Sequence, residues 1–91
     1  MTKQEIEMHA DRLAKAYTAA NNAENAYRLA KAQKFLQLSC PPAGEKKPTE
    51  AVILSTIDAD PSINSLRMEC QARQADLDVE KMTFKALSAA N

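Results

Sequence analysis

The breaker residues of this chain are confined to one short stretch, and nothing else in the sequence restricts its fold so severely. The only glycine is Gly44, and the four prolines are Pro41, Pro42, Pro48 and Pro61. Residues 3–38 and 62–91 therefore hold neither breaker, and each run is far longer than a strand. Two long helices with a punctuated connection between them are the expected outcome.

The ends of these segments carry matching chemistry. Thr2 followed by Glu5 is a capping-box pattern: the hydroxyl and the carboxylate satisfy backbone N–H groups that a helix start leaves free. Glu5 and Glu7 suit the positive end of the helix dipole, while Arg28, Lys31 and Lys34 suit the negative end. Ser39-Cys40-Pro41-Pro42-Ala43-Gly44 cannot continue a helix, and Gly44 permits a reversal. Thr49 then serves as an N-cap with Glu50 in the first turn. Asp58-Ala59-Asp60-Pro61 interrupts the second half, with Asp60 as N-cap and Pro61 at the first helical position. The second half is then either a short helix followed by a long one or one helix kinked near Pro61, and the break is the expected outcome. The expected organisation is a single all-α domain: a helix over 3–38, a turn over 39–48, a short helix over 50–58 and a helix over 61–90.

Helical periodicity at about 100° per residue places the side chains on faces. In the last helix, Ile63, Leu66, Cys70, Leu77, Phe84 and Leu87 share one stripe. Met68, Ala72, Ala75, Val79, Met82 and Ala86 form a second, roughly opposite, spaced alternately by four and three. Arg67, Asp78, Lys81 and Lys85 fill one seam between them; Glu69, Arg73, Asp76 and Glu80 fill the other. A helix with two opposed apolar stripes has to be covered on two sides. A hairpin partner covers one, leaving the other to a second chain or to the short helix at 50–58. In the first helix, Ile6, Ala10, Leu13, Tyr17, Ala20, Tyr27, Phe35 and Leu38 make the main apolar face. Beside it Ala16, Ala19, Ala23, Ala26 and Ala30 keep a heptad spacing of small residues, which lets a helix approach closely.

Composition adds a reason to expect self-association. Apolar residues are 45% of the 91-residue chain, yet only 4% are aromatic. Much of the apolar content is alanine, which buries little area at roughly 25 cal/mol per Å². Such a core is thin for one copy of a small chain. The expected assembly is a dimer, packed as a four-helix bundle or coiled coil, with Met68, Ala72, Ala75, Val79, Met82 and Ala86 at its interface.

Catalytic chemistry finds little material. Lone His9 has no companion at metal-ligand spacing and reads as a boundary residue. Asp58 and Asp60 read as turn and cap residues rather than paired acids. One glycine cannot build a phosphate loop. Cys40 and Cys70 lack metal or redox spacing and read as half-buried reduced thiols. We expect no enzyme activity and no cofactor. Twelve basic residues balance twelve acidic ones, which argues against a polybasic nucleic-acid binder. Lys46 and Lys47, with Lys34 at the nearby helix end, remain candidate phosphate contacts in an alternative nucleic-acid role. The N-terminus has no apolar run of a signal peptide, and no segment approaches a bilayer span, so a cytoplasmic location is expected.

Lys47-Pro48-Thr49-Glu50, the following Asp60-Pro61 step and the long Ala- and Glu-containing helix resemble small helical-hairpin proteins of tailed bacteriophages. These are often encoded beside recombination or replication genes. The resemblance covers most of residues 46–91. It departs from that pattern in the inserted Pro48 and in lacking a tryptophan-containing C-terminal end. It implies a phage accessory protein in the host cytoplasm, acting on a protein partner in recombination, replication or host defence. It carries no known catalytic residues.

Overall fold

The caps read in the sequence fix where each helix begins. In the computed structural model, which describes residues 2–89, the Thr2 hydroxyl accepts from the Glu5 amide at 3.2 Å, and α1 runs Lys3–Ser39. The Thr49 hydroxyl accepts from the Val52 amide at 3.3 Å, and α2 runs Glu50–Ala59. Asp60 Oδ1 accepts from Ser62 N at 2.8 Å and Ile63 N at 3.3 Å, opening α3 at Pro61–Ala89. Asp60 itself is extended, with φ −72° and ψ 118°. The chain therefore breaks here, since a residue before proline is pushed out of the α region. The last position of the predicted helix over 61–90 lies outside the described residues. Gly44 has φ +94°, a conformation that costs a residue with a Cβ and not glycine.

Among the described residues, everything except Thr2, residues 40–49 and Asp60 is helical, and no strand occurs. The α1 and α3 helices pack along one another as an antiparallel hairpin, with extents of 68 × 17 × 16 Å. Its radius of gyration is 19.7 Å, against about 12 Å for a compact domain of this size. The molecule is a rod roughly two helices thick.

The core follows from that shape. At the turn end, α2 lies against the hairpin as a third helix. Ile53, Ile57 and Ile63 are buried there, with Tyr27, Ala30, Phe35 and Leu38 packed around them. Towards the far end only two helices meet, and among the described residues Ala20 and Leu77 alone are buried there.

On α3 the covered stripe is the predicted one: Ile63, Leu66, Cys70, Leu77, Phe84 and Leu87 are all buried or half-buried. Arg73 and Glu80, placed by the sequence in a charged seam, are half-buried too. They complete an unbroken three–four spacing from Ile63 to Leu87, the spacing of a coiled coil. Long charged stems can occupy such positions because their methylenes pack while the charged ends reach water.

On α1 the covered line is His9, Leu13, Ala16, Ala20, Ala23, Tyr27, Ala30 and Lys34, each buried or half-buried. It draws on both predicted faces. Ile6, Tyr17 and Ala10, assigned to the main apolar face, are exposed instead. A single partner helix covers only a narrow stripe, and α3 settles on the small alanines, where it can approach closely. Lys81 accounts for part of the Tyr17 surface, its ammonium 5.1 Å from the ring centroid. Cys40 is exposed rather than half-buried, because it caps the helix end facing the turn; Cys70 is half-buried, and both are free thiols.

Candidate interaction surfaces

The second stripe of α3 projects away from the hairpin contact. Met68, Ala72, Ala75, Val79, Met82 and Ala86 are all exposed. The three larger residues expose 67%, 61% and 71% of their surface at Met68, Val79 and Met82. Within one chain, then, α2 does not cover this strip; its buried isoleucines face Tyr27, Phe35 and Leu38 instead.

Beside the strip, an open groove of about 430 Å³ runs between α1 and α3. Ala16 and Ala19 of α1 and Val79 of α3 give its apolar lining, so Val79 belongs to both surfaces. Arg12 and Lys15 line it from α1; Arg73, Asp76 and Glu80 line it from α3. Three of these five charges are already paired. Lys15 meets Asp11 at 3.0 Å, and Asp76 meets Arg73 at 3.3 Å. Among the described residues, neither Arg12 nor Glu80 makes an ion pair.

The three lysines grouped as candidate phosphate contacts differ in their surroundings. Lys46 and Lys47 are exposed in the connection. Lys34 is half-buried, with its ammonium 3.7 Å from Asp60 Oδ2. It is thus engaged with the residue that caps α3, where the sequence suggests an open cation. Lys31 sits over the Tyr27 ring at 5.0 Å, and Arg28 meets Glu24 at 2.6 Å. What remains available at the turn is the Lys46–Lys47 pair, with Glu45 beside it.

That pair supports a direct prediction. Changing Lys46 and Lys47 together to alanine should leave the melting temperature unchanged, because exposed charges contribute little to stability. If these lysines contact phosphates, retention on DNA falls and the dependence on salt weakens by the release of about two counterions. A double variant retained on DNA as well as the parent would restrict the pair to a solvated turn.

Among the described residues, no group of three or more His, Cys, Asp and Glu side chains is placed to hold a metal ion. No helix among them is long and apolar enough to cross a membrane. No protein-family model, curated protein or solved structure matches the chain.

Proposed function

We propose that this chain is a non-enzymatic, self-associating helical interaction protein, and that it dimerises through the second stripe of α3. The observation that carries this reading is the exposure of a continuous Met/Ala/Val strip along a helix whose other stripe is already used. Soluble monomers seldom display contiguous apolar surface at such length. Methionine and alanine make a shallow, adaptable surface well suited to another helix.

The surface area supports the same reading. A monomer of this mass exposes about 5,200 Å², whereas this chain exposes 6697 Å². The excess, about 1,500 Å², exceeds the ~800 Å² per partner of a standard interface. It arises from the rod shape, which spreads a small core over a long surface. A second rod alongside would bury a large part of it.

Once paired, the chain presents mostly charged faces to a protein partner. In the phage setting implied by the resemblance, that partner belongs to recombination, replication or host-defence machinery. Sedimentation velocity over a range of concentrations tests the first step. The chain should sediment as a dimer at micromolar concentration. A species that stays monomeric at high micromolar concentration would overturn the reading.

A further inference from the structure

We propose that the second copy docks along the groove between α1 and α3, with the two-fold axis parallel to the long axis of the hairpin. This deepens the dimer reading above and rests on it. In this arrangement α1 of each copy lies against α3 of the other, and Arg12 of each copy faces Glu80 of the other. The occupant of the groove is a second copy of this chain.

Three observations lead there. First, Val79 joins the exposed strip to the groove, where it meets Ala16 and Ala19. A partner seated on the strip near its centre is therefore continuous with the alanine lining of α1. Small residues on that side allow a close approach.

Second, the groove has a basic rim on α1 and a net acidic rim on α3, where Arg73 is held by Glu69 and Asp76 and Glu80 is left unpaired. Rotation about the long axis leaves every residue at its own height and exchanges the two sides. The basic rim of one copy then meets the acidic rim of the other, twice by symmetry. An axis perpendicular to the rod, centred on the groove, does the opposite. It stacks α1 on α1 and α3 on α3, setting Arg12 against Arg12 and Glu80 against Glu80. Such like-charge contacts select against a docking mode. Either axis makes every neighbouring pair of helices antiparallel, as in an up-and-down four-helix bundle, so the charges decide between them.

Third, the charges that this docking mode uses are the two left over. Lys15 and Asp76 each have a partner within their own helix. Arg12 and Glu80, on opposite rims, make no ion pair among the described residues.

The test uses two charge reversals, Arg12→Glu and Glu80→Arg, in the full chain. Neither residue belongs to the buried core, and circular dichroism melting confirms that each variant folds. Sedimentation equilibrium then compares each variant with the parent and with an equimolar mixture. Alone, each variant places like charges at both junctions, so dimerisation should weaken on the order of tenfold. In the mixture, a heterodimer keeps the native Arg12–Glu80 pair at one junction. At the other, the two substituted side chains meet as a pair of reversed sign, and parent-like association should return. Single variants that associate as tightly as the parent would overturn the groove geometry while leaving self-association through the strip intact. A mixture no tighter than its components would overturn it too. A monomeric parent would remove both this inference and the reading it rests on.

Discussion

Replacing Ile53 by alanine is expected to lower the unfolding free energy by about 3 kcal/mol, within the 2–5 kcal/mol seen for such core truncations. Urea denaturation followed by circular dichroism measures it. Ile53 is the most deeply buried large side chain, with 2% of its surface exposed. It sits with Ile57 and Ile63 against Tyr27, Ala30, Phe35 and Leu38, the one place where three helices meet. The loss is large because of what else it releases. The α2 helix has only 10 residues, too few to persist in water without packing. Its attachment depends on Ile53 and Ile57, so a cavity at Ile53 weakens the docking of the whole helix. A chain of this size has a total stability of only about 5–15 kcal/mol, and the effect is correspondingly visible. Val52, next in sequence and 54% exposed, supplies the contrast: Val52→Ala should change stability by less than about 0.5 kcal/mol. Equal losses at the two positions would show that the turn end is not the centre of stability.

Local chemistry and tertiary choice are unequally readable from the residues. Helix starts depend on groups two or three positions apart, so Thr2, Thr49 and Asp60 announce them. The break at Pro61 follows from the same logic. The covered stripe of α3 is readable because large apolar residues stand opposite a strip of smaller ones. On α1 the alanines defeat the reading. Alanine occurs on several faces, and its small area gives periodicity little contrast, so the covered line does not separate from its neighbours. Arg73 and Glu80 mislead in another way. Their charge marks them as solvated, while their long stems fit the coiled-coil positions they occupy. The engagement of Lys34 by Asp60 is hidden for a third reason: it joins residues 26 positions apart in sequence through the fold, and no local pattern encodes it. The exposure of the α3 strip likewise depends on where α2 docks, which the sequence leaves between two alternatives.

Val79→Asp should abolish detectable dimerisation and leave the subunit folded. Val79 stands near the middle of the strip from Met68 to Ala86, and it alone of the strip residues also lines the groove beside Ala16 and Ala19. A carboxylate there would have to be desolvated on association, twice across a two-fold axis, where the groove cations are already engaged: Lys15 with Asp11 and, in the proposed dimer, Arg12 with Glu80 of the other copy. Burying such a charge without a partner costs several kcal/mol. Central apolar contacts contribute about 2 kcal/mol or more in addition. A loss of even ~2.7 kcal/mol weakens binding about 100-fold. The folded subunit should tolerate the change because Val79 is 61% exposed within one chain, where an aspartate stays in water at little cost. The helix-propensity penalty of aspartate in α3 is at most about 0.7 kcal/mol. Sedimentation and thermal melting at matched concentrations separate the two effects. The parent's melting temperature should rise with concentration, as dimerisation coupled to folding requires, while that of the variant should not. A variant that remains dimeric would move the interface off this strip. One that unfolds at every concentration would mean that Val79 is buried within the subunit, contrary to the packing described above.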